Sequence, residues 1–556
     1  MAVDKGLYFL PLGGSGEIGM NLNLYGYGPE EKRKWIMVDC GVTFGDLTTP
    51  GVDIIMPDPD FIEERAHDLL AIVLTHAHED HMGAVAHLWE RFRCPIYATP
   101  FTAWLMVDRL KEKGLENEAI IHVVPMDGFI QLGPFEISFV TLTHSIPEPN
   151  GLAIRTPAGL ILHTGDWKID PDPQIGNSTD ISALTSLGDE GVLAMVCDST
   201  NVFTAGESGS EAGVRKNLIE LVGELKGRVA IASFASNVAR MESAIVAAEA
   251  NGRRVCLAGR SMHRMAAAAK AVGMLQNAKP FIDEDDAVSF PANKILYLCT
   301  GSQGEPRAAL SRVARGDHRS INLTKGDTVI FSSRVIPGNE TGIFELQNQL
   351  SERGVDIITE RDRHIHVSGH PCRDELRQMY AWVKPRIAIP VHGERRHLVE
   401  HAAFARSLQI PHAIPARNGD MIRITQDGAS VVDEVKSGRL YMDGNLLSEA
   451  ENPAIRERRS MAYAGHVTVA MVIDGQGSLI SGPDVRALGV PETREWSEDK
   501  LLDRIAEIAE SAFDRMKRRN RNDEDQVEEM VRRAVRRELN FIWGKKPQVD
   551  IMVLTA

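Results

Sequence analysis

The sequence predicts an α/β protein of several units: a two-sheet domain covered by helices, a parallel α/β block inserted into it, and a small C-terminal α/β domain. Three observations carry this expectation. Residues 1 to about 205 read as short apolar runs between glycine-rich turns, which suits strands buried in two sheets. From about 209 the rhythm changes to a strand followed by a helix, the alternation of a parallel sheet. Residues with metal-ligand chemistry cluster before residue 200 and return only at 364–392, so the block between them interrupts one domain.

The first region holds strands at 6–10, 35–39, 71–75, 135–143, 160–163 and 193–197. In the block, strands at 228–233, 255–257 and 295–299 precede helices at 237–250, 261–271 and 305–315. These set expected bounds of 1–208 for the first part of the two-sheet domain, 209–355 for the insertion and 356–445 for the second part. The charged run 446–465 reads as a linker. Beyond it, 467–473 reads as a strand, and Leu501, Ile505, Ile508, Ala512 and Met516 recur at helical spacing. A helix at 525–543 and a closing strand at 549–554 complete a small domain over 466–556.

At 556 residues the chain exceeds one core, and about 150 residues per domain suggests three or four units. The net charge of -15 gives no global positive field, so a nucleic-acid partner would need a local basic channel. Cys40, Cys94, Cys197, Cys256, Cys299 and Cys372 stand singly in mostly apolar runs and read as reduced core residues. No apolar stretch approaches membrane-spanning length, and Met1-Ala-Val-Asp-Lys-Gly6 is no secretory signal. The expectation is a cytoplasmic protein with no membrane partner.

The run Thr75-His-Ala-His-Glu-Asp-His81 puts four nitrogen and oxygen ligands, His76, His78, Asp80 and His81, within six residues. An accidental polar turn would explain one histidine better than three with an aspartate. If strand geometry persists, His76 and His78 fall on one side, while Asp80 and His81 come from the turn and can face a second ion. Further ligand types stand at strand ends: Asp39 after Val38, His144 in Thr143-His-Ser-Ile-Pro147, Asp166 in His163-Thr-Gly-Asp166, and His392 in Val391-His-Gly393. Separate strands can bring such termini to one point.

With these residues the chain resembles the metallo-β-lactamase superfamily. Asp198 in Val196-Cys-Asp-Ser-Thr-Asn201, His370 in Ser368-Gly-His370, and His392 narrow the resemblance to the β-CASP nucleases, and across nearly its whole length the chain is similar to the bacterial ribonuclease J family. The resemblance implies an αββα sandwich carrying an inserted parallel β-CASP domain. It implies that His76, His78 and His144 hold one zinc, that Asp80, His81 and His392 hold another, and that Asp166 bridges them. Manganese or magnesium would substitute or assist. Asp39 would orient the ligating imidazoles, which usually need a fixed partner for their other nitrogen. The implied activity is 5′-to-3′ exonuclease action, preferring 5′-monophosphate RNA, together with endonuclease action in RNA maturation, rRNA processing and mRNA decay. RNA-decay complex partners are expected, and the tail domain suggests a homodimer or homotetramer. By family association, histidine at position 392 points to RNA and not DNA.

The chemistry follows from the residue types. Two zinc ions about 3.5 to 4 Å apart share a water, lower its pKa and hold phosphate oxygens as charge builds. His370 is expected to protonate the leaving 3′ oxygen while Asp198 orients it, giving products with a 5′ phosphate and a 3′ hydroxyl.

Weaker signals have competing readings. Gly13-Gly-Ser-Gly-Glu-Ile-Gly19 resembles a dinucleotide fingerprint, but residues 20–25 alternate like a strand, so a turn near the metal site is preferred. Ser236, Asn237, Ser261, Ser333 and Arg334 follow strands of the insertion and suit helix caps as well as a phosphate pocket. Given the resemblance, they are read with His366, Val367, Ser368, Gly369 and His370 as a site for the terminal 5′ phosphate. Arg307, Arg312, Arg315 and Arg319 line an RNA path or a solvated helix face. Two other functions compete. A small-molecule hydrolase of the same fold would need neither the insertion nor His370, and an inert RNA-binding scaffold would not need an unbroken ligand set.

Overall fold

The computed structural model describes residues 6–492 and 497–556, so residues 1–5 of the run read against a secretory signal lie outside the described part. The chain forms two compact units: one runs to Thr43 and resumes over Met56–Arg439, and the other comprises Phe44–Ile55 with Leu440–Ala556. Among the described residues no helix is long and apolar enough to cross a membrane.

In the first unit, an eight-stranded and a seven-stranded sheet share one core. Alternate residues of the strands Gly6–Gly13 and Lys34–Val38 (Leu7, Phe9, Ile36, Val38) meet Phe135, Ile137 and Phe139 of Phe135–Thr141 and Ile154 of Asn150–Thr156. This is what period-2 alternation requires of two sheets packed face to face. The other face of the second sheet is covered by the helices Ile181–Glu190, Arg373–Val383 and Arg395–Ser407, through Leu184, Leu187, Leu376, Met379, Val383 and Phe404.

The chain re-enters both sheets after the inserted block. Asp420–Thr425 pairs antiparallel with Gly6–Gly13, and Ile387–Val391 pairs parallel with Val192–Asp198, placing Asp198 opposite Val391. That register brings Asp198 and His392 to the same end of the sheet although 193 intervening residues separate them. The block itself is a sheet of five parallel strands in the order Arg254–Ala258, Ile295–Cys299, Val229–Ala232, Thr328–Phe331 and Asp356–Ile358. Its last strand lies wholly beyond the expected boundary at 355. The helix expected from 305 begins at Ala309; Pro306 disfavours helical geometry at Glu305.

In the second unit, the stretch 446–465, expected as a linker, is instead the strand Leu446–Glu449 and the helix Pro453–Ala464. Asn452 caps that helix through Ala454 N–H, and Pro453 occupies its first turn; both signals lay inside the charged run. His466–Ile473 is the central strand of a three-stranded sheet, antiparallel to Leu479–Leu488 and parallel to Gln548–Thr555. Val467, Val469 and Met471 pack on Leu501 and Ile505 of Glu498–Asp514 and on Val531 and Val535 of Glu524–Trp543.

Candidate metal centre

Strand alternation does not set His76 and His78, because the strand Leu69–Val73 ends before them and His78 precedes the short helix Glu79–Met82. The irregular exit nevertheless brings them together: His76 Nε2 and His144 Nε2 each lie 3.1 Å from His78 Nδ1. Asp166 Oδ2 lies 3.9 Å from His76 Nε2 and 3.7 Å from His144 Nε2. The same oxygen is 3.2 Å from His81 Nε2 and 3.5 Å from His392 Nε2. Asp80 Oδ2 completes that side, 3.7 Å from His81 Nε2 and 3.8 Å from His392 Nε2. Three overlapping groups share Asp166, each with its ligand atoms within 4.8 Å of one another: His76, His78 and His144 on one side, Asp80, His81 and His392 on the other, and Asp198, His370 and His392 beside them.

Several of these imidazoles are fixed from behind. Asp39 accepts the Thr75 N–H and hydroxyl, both at 2.8 Å, and its Oδ2 meets His81 Nδ1 at 2.7 Å, which directs His81 Nε2 toward Asp166. The Gly369 carbonyl accepts His144 Nδ1–H at 2.5 Å. Asn21 Oδ1 meets His392 Nδ1 at 3.0 Å while its amide donates to the Asp80 carbonyl at 3.0 Å. Sequence reading missed Asn21; its only signal was a polar residue in an alternating strand after a glycine turn. Gly41 is required nearby, since a Cβ there would sit 1.7 Å from the Asp80 carbonyl oxygen. The Gly13–Gly19 run, expected as a turn, instead holds the short strand Ser15–Gly16, paired parallel with Gly393–Glu394, and its Gly14 carbonyl accepts the His392 N–H at 2.7 Å.

The electrostatics suit a cation. Burial holds His76 and His144 well below the usual histidine range and His78 at about 4, leaving neutral nitrogens with free lone pairs. Burial opposes charge on Asp166 as well, but His392, His81 and His370 hold its carboxyl well below the usual range. His81, also disfavoured by burial, is raised well above its ordinary value by Asp166, Asp80 and Asp39, so a proton there answers a demand that a metal ion would meet. Asp166 Oδ1 is buried with no hydrogen-bond partner, a costly state for a carboxylate oxygen. Five imidazoles and two carboxylates, most with their second atoms engaged, fit ions of the zinc class.

Asp198 and His370 form a third group beside this centre. His370 Nδ1 lies 2.8 Å from Asp198 Oδ2 and 3.8 Å from Asp166 Oδ2, and its side chain remains 24% exposed. Burial disfavours its charge, but Asp198 and Asp166 raise its pKa to about 9. Behind Asp198, the buried Ser199 hydroxyl meets His401 Nδ1 at 2.8 Å, and the Tyr380 hydroxyl meets His401 Nε2 at 3.0 Å; neither partner was anticipated.

The residues read as a phosphate pocket do not form one surface. Asn237 Oδ1 caps the helix Val238–Ala250 through Arg240 N–H, and Val367 is a buried packing residue. Ser333 is buried against Gln303, at 3.4 Å. Ser261 lines a separate cavity of about 990 Å³ with Arg109, Arg260, Arg264, Arg307, Arg312 and Arg319, and none of the other proposed pocket residues borders it. Asn237 thus serves as a helix cap and Ser333 as a packing group, the competing reading of the same signal. Ser368 Oγ accepts from Asn201 Nδ2 at 2.8 Å and from His370 N–H at 3.2 Å. His366 Nδ1 is buried without a partner, while Ser236 is half-buried and Arg334 is exposed.

Comparison with known proteins adds sequence kinship to this geometry. Residues 30–172 match the metallo-beta-lactamase superfamily, 226–350 the ribonuclease J beta-CASP domain, 354–415 the Zn-dependent metallo-hydrolase RNA specificity domain, and 453–556 the ribonuclease J C-terminal domain. The chain is 47% identical over 556 residues to a protein named ribonuclease J from Sinorhizobium meliloti, covering 100% of this chain and 98% of that one. It is 39% identical to one from Corynebacterium glutamicum, covering 100% and 77%, and 35% identical to ribonuclease J 1 of Streptococcus pyogenes, covering 98% and 97%. A crystal structure of an Enterococcus faecalis protein of unknown function aligns with a TM-score of 0.51 at 16% identity, over 75% of this chain and 100% of that one, a likeness of fold.

Proposed function

The chain belongs to the ribonuclease J family, and from that premise we propose that it is a two-zinc ribonuclease that degrades RNA from monophosphorylated 5′ ends and also cuts internally, in RNA maturation and mRNA decay. It is a hydrolase, and RNA is its substrate. The observation that carries the finer reading is the convergence of both ligand sets on Asp166, with His370 3.8 Å from the same carboxylate.

When bound, two ions at these sets supply an acidified water and hold phosphate oxygens as negative charge develops. The nitrogen-rich donor set favours zinc, with manganese or magnesium able to substitute or assist. The protein's own groups do the rest. Asp39, Asn21 and the Gly369 carbonyl keep His81, His392 and His144 aimed at the centre. Asp198 holds His370 in orientation and stabilises its charged form. As the P–O3′ bond breaks, the electron pair leaves on O3′ and His370 delivers its proton there, so products carry a 5′ phosphate and a 3′ hydroxyl.

The terminal 5′ phosphate is assigned to the polar residues of the 366–370 loop, His366, Ser368 and His370, supported by the unpartnered His366 Nδ1. Self-association through residues 466–556, as a homodimer or homotetramer, is supported by exposed Phe541, Met552 and Leu554. Six buried free thiols support a cytoplasmic location.

Matched RNAs carrying a 5′ monophosphate or a 5′ triphosphate test the reading. Mononucleotide release should be much faster from the monophosphate, because a small pocket lacks partners for two further phosphates, while internal cleavage should be nearly indifferent. Equal exonuclease rates on the two ends would remove the pocket but leave the metal centre standing.

A further inference from the structure

Among the charged residues outside the ligand sets, Lys168, Asp170, Glu211, Arg240 and Glu375 are each at most 3% exposed and bonded in one network. Their bonds run between the two segments that carry the chemistry. On the segment following Asp166, Lys168 Nζ lies 3.0 Å from Asp170 Oδ2 and donates to the Gly209 carbonyl at 3.0 Å. Asp170 accepts the Glu211 N–H at 2.9 Å. Glu211 then takes two bonds from the Arg240 guanidinium, at 2.8 and 3.0 Å. Arg240 also donates to Ser332 O and Oγ, both at 2.8 Å, and to the Ile365 carbonyl at 3.1 Å, immediately before the loop of His366 to His370. Glu375 holds the other end of that loop, accepting from Cys372 N–H at 2.8 Å, Ile169 N–H at 2.8 Å, Ser208 N–H at 2.9 Å and the Ser208 hydroxyl at 2.6 Å.

The loop bearing His370 is thus tied at both ends to the segment bearing Asp166. A buried ion pair seldom stabilises a fold more than apolar packing of the same volume would, so a fully bonded one in this place is better explained by the geometry it fixes. We infer that Glu211, Arg240 and Glu375 are positioning residues of the RNA-cleavage reaction, clamping the His370 loop onto the Asp166 segment so that the proton donor stays in register with the scissile bond. Arg240 lies in the insertion helix Val238–Ala250 and bonds the end of the insertion strand Thr328–Phe331, so the clamp also joins the insertion to the acid. The inference rests on the reading of His370 as general acid.

Removing one partner alone would leave an unpaired buried charge and risk misfolding, so the informative variant is the neutral double replacement Glu211→Gln with Arg240→Met. Expected results are a melting temperature, bound metal and KM for RNA near wild type, with kcat lower by about 10²-fold, the scale of a misplaced catalytic group. The decisive readout is a second RNA with sulfur in place of the bridging 3′ oxygen at the scissile bond, because a thiolate leaves without needing a proton. The double variant should regain most of its rate on that substrate, relative to wild type under the same metal. Unchanged kcat on ordinary RNA, or an equal loss on both substrates, would overturn the clamp. His370→Ala is assayed alongside. If it too is not rescued by sulfur, the general-acid reading fails; if it is rescued and the double variant is not, the clamp alone fails.

Discussion

Replacing Asp39 by asparagine isolates the support of one imidazole from the fold around it. The aspartate accepts three hydrogen bonds, two from Thr75 at 2.8 Å and one from His81 Nδ1 at 2.7 Å, and it is fully buried. Asparagine keeps the volume and one carbonyl oxygen for the Thr75 N–H, but it turns an NH₂ group toward His81. Nδ1 must then act as acceptor, and the ring proton moves to Nε2, the atom 3.2 Å from Asp166 Oδ2. The lone pair that faced Asp80, Asp166 and His392 is lost. Partners of this kind contribute about 10 to 100-fold in metal affinity, equivalent to roughly 1.4 to 2.7 kcal/mol. The expected outcome is that the Asp80, His81 and His392 set loosens by that factor, while the His76, His78 and His144 set keeps its ion more firmly. Bound metal would be measured by mass spectrometry after dialysis against buffered free zinc, with RNA cleavage read in parallel. Wild-type affinity at both positions together with wild-type turnover would refute the assignment of Asp39.

His78→Ala or Asp80→Ala should abolish cleavage and lower bound metal, whereas His370→Ala should keep near-normal metal and lose roughly 10² to 10⁴-fold in rate. Metal loss in His370→Ala as steep as in the ligand variants would show that His370 is a ligand. The pH dependence of stability should carry the mark of His401, which burial pushes down to about 4. The unfolded chain binds that proton first, near 6.5, so stability should fall as pH drops from about 6.5 toward 4, at up to about 1.4 kcal/mol per pH unit. A melting-temperature profile of His401→Gln as steep as the wild type's over that range would refute a contribution from His401.

The donor set was legible in the sequence because four of its members lie within six residues and the others close apolar strands, so both chemistry and position showed. The supports were not legible, since hydrogen-bonded partners far apart in sequence leave no local pattern. Asn21 and His392 are 371 positions apart, His144 and Gly369 are 225 apart, and Arg240 and Ile365 are 125 apart. The roles of Asn237 and Ser333 were illegible for a different reason. A serine or asparagine opening a helix and one binding phosphate use the same donors and acceptors, so only the observed partner tells them apart, as Arg240 N–H does for Asn237. In the run 446–465, dense charge masks the Asn452–Pro453 start signal of a helix.

The buried charges between the Asp166 and His370 segments show what a sequence pattern omits even where it finds every candidate ligand. Lys168 and Asp170 sit two and four residues beyond Asp166 and look like ordinary surface residues in the sequence; the fold makes them 1% exposed and gives them partners in the insertion. A motif with metal-ligand chemistry at a strand end names candidate ligands and leaves the placement of the proposed proton donor, His370, open, because His370 lies on a loop more than 200 residues away, beyond an inserted domain. Placing it requires contacts between the loop's ends and the ligand-bearing segment. Arg240 on Ile365 and Glu375 on Cys372 supply them, so the loop of His370 is held from both sides by buried groups outside the ligand sets.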